Sequence, residues 1–155
     1  MNLDKLKNDW ESLAERDAFG AILTDSARSD GRWDASEFMT TGEAEIEVVM
    51  SHLAEIGCTP DFDCPAMDFG CGVGRLTQAL GRRFVSCVGV DISRQMIEKA
   101  DLLNQYAHCR YVVHSDIRLP FADGSFAFIY SNIVLQHVPR QIGRASCRER
   151  VFALV

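Results

Sequence analysis

The chain has 155 residues, of which 47% are hydrophobic and 25% are charged. This is the composition of one globular domain and excludes disordered and fibrous classes. Sixteen basic and 22 acidic side chains give a net charge of -6, which argues against broad electrostatic binding of nucleic acid. No apolar run is long enough to span a bilayer, and the charged N-terminus is unlike a signal peptide. Six cysteines without a CxxC pair indicate reduced thiols, so we expect a cytoplasmic protein without a metal site.

Residues 1–60 are predicted to form an N-terminal helical segment. Residues 17–34 are polar and irregular, and we expect them to separate two helices. Thr40 and Glu43 match a capping box for the second helix, and Gly57 marks its end. The first helix is predicted from four apolar residues at helical spacing: Leu3, Leu6, Trp10 and Leu13.

From residue 61 onward, short apolar runs alternate with helical patterns. Ser93 is placed to cap one of these helices, and Asp123-Gly124 is a turn signal before the last run. Alternating strands and helices favour right-handed crossovers and a parallel sheet covered on both faces. The fold class is therefore α/β, with a doubly wound sheet. The predicted strands are residues 66–69, 84–90, 111–113 and 126–130.

A glycine-rich loop lies where the first strand gives way to a helix. Its sequence is DFGCGVG, running from Asp68 through Gly70 and Gly72 to Gly74. Side chains at these glycines would hinder the turn and keep a ligand away from the backbone. Backbone N–H groups at the start of the following helix favour a polar or anionic ligand group. Cys71 within the loop has no base beside it in the sequence, so a small spacer is favoured over a nucleophile.

Carboxylates end the next two strands and indicate a nucleotide site. Asp91 follows Gly70 by 21 residues, the spacing at which an acidic residue binds both hydroxyls of a ribose. Asp116 ends the third strand beside the same crevice. The dinucleotide pattern G-x-G-x-x-G/A would need a small residue where this chain has Arg75. A nicotinamide-dependent oxidoreductase is therefore the less favoured alternative.

Three segments, AMDFGCGVGRL, VGVDIS and SDIRLPFADGSFAFIYSNIVLQHVP, resemble in order and spacing the motifs of class I S-adenosylmethionine (SAM)-dependent methyltransferases. The similarity is greatest to the small-molecule branch that contains the type 11 and ubiquinone/menaquinone enzymes, and it covers about residues 65–139. It implies a Rossmann-like methyltransferase fold, SAM as cofactor, and methyl transfer by in-line displacement to a small-molecule acceptor.

The resemblance assigns one group of residues to the methionine and ribose side of SAM. Gly70, Gly72 and Gly74 would line this part of the donor. Asp68 would shape the loop or meet the methionine amino group. Asn132, after the fourth strand, would offer its backbone to the methionine end.

A second group is assigned to the nucleoside. Asp91 would accept the ribose hydroxyls, while Ile92 and Met96 would flank the adenine. Asp116 would receive the exocyclic amine of the adenine, and the backbone of Ile117 would support the ring. Met96 also fits a core position by its helical spacing.

His137 is the one attractive candidate for a general base, because it follows the fourth strand near the expected methyl group. A structural role is the alternative, since a base is needed only when the acceptor atom carries a proton with a high pKa. A non-catalytic SAM- or nucleotide-binding fragment is the other functional alternative. Acceptor and oligomeric state are not set by the sequence.

The C-terminal segment breaks with the rest of the chain. Residues 142–151 resemble the conceptual translation of a sequencing adapter, so we expect residues 142–155 to be foreign and residues 61–141 to form a SAM-binding half domain. Residues 140–151 contain four arginines and one glutamate, a net charge of +3. In this interpretation the methyltransferase is truncated after its fourth core strand. That strand would be an uncovered apolar edge, making the protein poorly soluble or oligomeric and weakly active.

Overall fold

The computed structural model describes residues 3–23, 28, 32–116 and 118–134, and the backbone of residues 151–154. Four helices and five strands occupy these residues. The helices are α1 (Leu3–Ile22), α2 (Ala35–Glu55), α3 (Arg75–Gly81) and α4 (Arg94–Leu103). The strands are β1 (Ala66–Phe69), β2 (Cys87–Asp91), β3 (Cys109–Val113), β4 (Phe128–Asn132) and β5 (Val151–Leu154). No helix in these described ranges is long and apolar enough to cross a membrane.

The first helix extends further than the sequence pattern predicts. The helix continues to Ile22, although its backbone leaves helical geometry at Asp17 (φ -159°, ψ 90°). There the Asp17 carboxylate accepts a hydrogen bond from the Gly20 backbone N–H at 3.0 Å, which caps the second part of α1. The prediction of an irregular segment from residue 17 is therefore wrong for residues 18–22.

The second helix begins six residues before the predicted capping box. Asp34 is the N-cap, and its carboxylate accepts from the backbone N–H groups of Ser36 and Glu37. Thr40 lies inside the helix, where its hydroxyl donates to the Ser36 carbonyl at 2.9 Å. The capping-box prediction is thus wrong, because a Thr-x-x-Glu pattern also fits a helix interior when the threonine bonds one turn back. Gly57 follows the helix end at φ +71°, as expected.

All strand pairs in the sheet are parallel, with the order β3-β2-β1-β4-β5. Helix α3 connects β1 to β2 and α4 connects β2 to β3, which confirms the predicted α/β fold. The chain order reverses between β1 and β4, so a crevice opens there at the carboxyl edge of the sheet. In open α/β sheets this switch point is where ligands bind.

The fifth strand corrects one expectation. Residues 129–132 of β4 pair in parallel with residues 151–154, so β4 is not the uncovered edge that the sequence predicts. Parallel pairing is made by backbone groups, so a short apolar run can extend the sheet whatever its origin. The sheet of the described residues thus has five strands, and the fifth lies within the segment that is predicted to be foreign.

The core consists of three groups of buried side chains. One lies between the sheet and helices α2 and α3, and it contains Ile46, Leu80 and Phe128. A second joins α1 to the glycine loop through Ala14, Val73 and Met96. A third lies around Met67, Val88, Val90, Phe126 and Ile129. The second group holds α1 and the start of α2 beside the carboxyl edge of the sheet.

Candidate functional site

The glycine-rich loop is a tight turn at the end of β1. Gly70, Gly72 and Gly74 have φ angles of +80°, +53° and +84°, which are strained for any residue with a side chain. The backbone N–H groups of Gly70 and Cys71 both donate to the Val90 carbonyl, at 2.7 and 3.0 Å. These bonds attach the loop to the end of β2 and place its glycines in the crevice at the switch point.

Asp91, the last residue of β2, connects this strand to the loop. One carboxylate oxygen accepts from the Gly72 N–H at 2.9 Å, and the other accepts from the Ser93 N–H at 2.9 Å. Burial raises the pKa of Asp91, and the bonds from Ser93 and Gly72 act in the opposite direction. An ionised carboxylate has about four acceptor positions. The backbone N–H groups of Gly72, Ser93 and Ile92 use three of these positions. The remaining one fits a ribose hydroxyl of the expected cofactor.

Asp68 is buried beneath the loop, with 1% of its surface exposed. Its carboxylate accepts a hydrogen bond from the Thr77 hydroxyl of α3 at 2.7 Å. Burial raises its pKa to about 7, although Thr77 and the nearby Arg75 lower it. Because the carboxylate binds α3 from below the loop, this contact supports the loop-shaping role among the two that were expected.

Cys71 does not have the surroundings of a nucleophile. Its thiol is buried and donates to the Gly72 carbonyl at 3.6 Å. Burial raises the pKa of the thiol well above its usual value, and the carboxylates of Asp91 and Asp68 raise it further. Since the thiolate is the reactive form, Cys71 is inert at neutral pH, as the sequence indicates.

Helix α1 lies over the start of α4 and reaches the glycine loop. The Glu11 carboxylate accepts from the Ser93 hydroxyl and from the backbone N–H groups of Arg94 and Gln95, at 2.9 to 3.1 Å. Backbone and hydroxyl bonds outweigh the effect of burial, so the pKa of Glu11 is lowered. At the other end of α1, the Ile22 side chain lies against the loop, 2.5 Å from where a Cβ on Gly72 would be.

Sequence patterns do not single out Glu45 of α2, just as they do not single out Glu11 of α1. Its carboxylate accepts from Arg75 at the start of α3 (2.8 Å), from the Tyr130 hydroxyl (2.9 Å) and from the Asn132 amide (2.6 Å). Glu45 therefore connects the N-terminal helical segment to both sides of the crevice. Thr41 lies one turn before Glu45 on the same face of α2, and its hydroxyl also accepts from Arg75. This shared helix face is the only feature of the sequence that points to Glu45.

The remaining predicted residues lie in three places. Ile92 is partly buried beside Asp91, and Met96 is almost fully buried among α1 and loop side chains. Asp116 follows β3 at the carboxyl edge and is exposed. Ile117 and His137 lie outside the described residues. The structure thus brings together Asp68, the three glycines, Asp91, Ile92 and Asn132, with Asp116 further along the same edge.

Comparison with known proteins identifies the family. A family model described as a methyltransferase domain matches residues 67–151, which is more than half of the chain. The chain belongs to this methyltransferase-domain family. No curated protein sequence matches it.

Solved methyltransferase structures share the fold. Phosphoethanolamine N-methyltransferase 1 of Haemonchus contortus has a TM-score of 0.70 at 15% identity, covering 95% of this chain and 29% of its own. Magnesium protoporphyrin IX methyltransferase of Synechocystis PCC 6803, with bound SAM, has a TM-score of 0.62 at 19% identity. This match covers 97% of this chain and 74% of the Synechocystis protein. Geranyl diphosphate C-methyltransferase of Streptomyces coelicolor has a TM-score of 0.58 at 22% identity, and the match covers 88% of this chain and 56% of the Streptomyces protein.

These likenesses confirm the predicted class I methyltransferase fold. The chain spans less than a third of the Haemonchus enzyme and 44% of YcgJ from Bacillus, a further match with a TM-score of 0.54. The family match begins at residue 67 and therefore includes the glycine loop, which is one of the segments that carry the sequence resemblance.

Proposed function

We propose that this methyltransferase-family chain binds SAM at the carboxyl edge of its sheet and transfers the methyl group to a small-molecule acceptor. The observation that carries the proposal is the Asp91 carboxylate, which ends β2 and binds the Gly72 N–H at the switch point. This arrangement supports a nucleoside site in which Asp91 accepts the ribose hydroxyls. Ile92, Met96, Asp116 and Ile117 are proposed to hold the adenine.

The methionine end of the donor is proposed to lie along Gly70, Gly72 and Gly74, with the backbone of Asn132 opposite. SAM supplies a methyl group that is already activated by a positive sulfonium. The acceptor atom attacks the methyl carbon, the carbon–sulfur bond breaks, and its electron pair goes to the sulfur. The residues of this chain therefore need mainly to align donor and acceptor, and orientation of this kind is worth ~7–11 kcal/mol.

The acceptor is proposed to be a small apolar or amphipathic molecule rather than nucleic acid. The net charge of -6 disfavours a polyanionic partner. Three of the similar proteins are named as methyltransferases of phosphoethanolamine, geranyl diphosphate and magnesium protoporphyrin IX, all of them small molecules. His137 is the proposed base when the acceptor atom must lose a proton. A cytoplasmic location belongs to the same proposal, supported by the unpaired thiols of Cys58, Cys64, Cys71, Cys87 and Cys109.

Calorimetric titration of the purified chain with SAM, S-adenosylhomocysteine and NAD tests the cofactor. We expect saturable binding of the first two and no binding of NAD at the same concentrations. Binding of NAD alone would contradict the proposal and favour the oxidoreductase alternative. S-adenosylhomocysteine production with a panel of small-molecule acceptors then tests transfer, because binding without turnover is the result expected of a non-catalytic fragment.

A further inference from the structure

The turn that follows β4 is held in an unusual conformation. Ile133 has a φ angle of +62°, although it is β-branched and 53% exposed. A β-branched residue in the left-handed region costs free energy and is kept there only when its neighbours fix the backbone. The residues on either side provide these constraints. Asn132 binds Glu45 before the turn, and Val134 lies directly over Gly70 after it.

Of these two constraints, the Asn132 bond is the one that involves a helix, because its partner Glu45 belongs to α2. Its side-chain amide donates to Oε1 of Glu45 at 2.6 Å, a charge-assisted bond. The other carboxylate oxygen of Glu45 accepts from Arg75, which is almost fully buried. The ion pair with Arg75 therefore uses one oxygen and leaves the second for the residues of β4.

Close packing of α2 on α3 brings Glu45 to this position. A Cβ on Gly42 would lie 2.5 Å from the carbonyl oxygen of Arg75, so the two helices pack backbone to backbone one turn before Glu45. Glu43 and Glu47 lie on the same helix and pair with Arg82 and Arg83 at the surface, with side chains that are 46% and 66% exposed. Only Glu45 among these three points into the crevice.

We propose that Glu45 is a positioning residue for the donor site. Through the Asn132 amide it fixes the turn over residues 132–134, and this turn places Val134 against Gly70 where the methionine end of SAM would bind. The inference rests on the proposed function, because it concerns the same donor site. It adds a residue of the N-terminal helical segment to the determinants of donor affinity.

SAM affinity, measured by calorimetry at a temperature where every variant is folded, tests the proposal. Glu45→Ala is expected to weaken SAM binding by about 5- to 20-fold, a loss that lies within the range for residues that act through others. Asn132→Ala is expected to weaken it similarly, and the double variant no further, because each substitution removes the same Glu45–Asn132 bond. Glu45→Gln should restore part of the affinity, since its amide oxygen can still accept from Asn132 while its NH2 group cannot accept from Arg75.

Two control variants separate positioning from stability. Tyr130→Phe removes the other bond to the same Glu45 oxygen and leaves the Asn132 bond, so SAM affinity should stay within twofold of the unmodified protein. Glu47→Gln removes a surface ion pair of α2 and should also leave affinity unchanged. Glu45→Ala with a lower melting temperature but unchanged SAM affinity would overturn the inference, as would an equal loss in Tyr130→Phe. If the unmodified chain binds no SAM, it is the proposed function that fails.

Discussion

Asp68 is a buried residue whose ionisation affects the stability of the fold. Its pKa of about 7 lies above the value of 3.8 for an exposed aspartate, because burial disfavours the charged form. Between these two values the folded chain binds more protons than the unfolded chain. The free energy of unfolding therefore falls as pH rises through this window, and the contribution of the protonated group is lost above pH 7.

Asp68→Asn removes this dependence while its amide oxygen can still accept from Thr77. From pH 5 to pH 7 the unmodified chain should lose stability relative to the variant by no more than about 2–3 kcal/mol, since one pKa unit corresponds to about 1.36 kcal/mol. Chemical unfolding of both proteins at several pH values measures the difference. A constant difference across this range would show that Asp68 does not titrate there.

Gly72 combines a left-handed backbone with a neighbour at close range, and Gly57 serves as its control. Both have positive φ angles, but the position of a Cβ on Gly57 meets no atom within 4 Å, whereas on Gly72 it meets Ile22. Valine at position 57 should lower stability by about 1–2 kcal/mol and leave SAM affinity unchanged. Valine at position 72 should lower stability further and abolish SAM binding. Normal SAM binding by Gly72→Val would mean that the loop is only a turn.

At the scale of elements, α1 is attached to α4 by polar contacts as well as by the buried group around Met96. Glu11 makes three hydrogen bonds to the start of α4, whereas Glu15 binds only the Gln95 side chain at 2.6 Å. A carboxylate at a helix start stabilises it through the unpaired N–H groups and the helix dipole. Among the side chains of α1 that bind α4 through hydrogen bonds, Glu11 therefore contributes the most.

Glu11→Ala should lower the free energy of unfolding by about 1–2 kcal/mol, the usual cost of losing a helix cap. It should also speed hydrogen exchange across α1 while leaving the sheet protected. Glu15→Ala, one turn away on the same helix, is expected to change stability by less than about 0.5 kcal/mol. Equal exchange rates for α1 in both variants would show that Glu11 does not hold the helix.

The elements also show what the sequence could and could not predict. The loop, the Ser93 cap and Asp91 were predictable, because their spacing along the chain determines their geometry. Glu11 and Glu45 were not, since their partners are 30 to 87 residues away in the sequence. The start of α2 was predicted too late because Thr40 bonds to Ser36 inside the helix rather than capping it.

At the scale of the whole molecule, the origin of the C-terminal segment is open to a direct test by sequencing. We retain the proposal that residues 142–155 are foreign to the chain's own family, and independent genomic reads that continue from Gln141 into the same segment would contradict it. The family match extends to residue 151, and residues 151–154 pair with β4.

Removing residues 142–155 tests what β5 does. Without it, the outer edge of β4 would have unpaired backbone groups along four residues, and exposed edges of this kind pair with other chains. We expect the shortened protein to associate at rising concentration, as measured by sedimentation velocity against the full chain. A shortened protein that stays monomeric at all concentrations would show that β5 does not protect this edge.

The central claim is that Asp91 holds the donor, and the SAM dissociation constant of Asp91→Ala tests it most directly. Loss of a hydrogen-bonded charged group costs about 1.5–3 kcal/mol, so affinity should fall by about 10- to 150-fold. The control is Asp61→Ala, which removes a carboxylate that accepts from a backbone N–H in an exposed turn. We expect the SAM dissociation constant to stay unchanged in Asp61→Ala and to rise by the full amount in Asp91→Ala. An unchanged dissociation constant in a folded Asp91→Ala protein would contradict it.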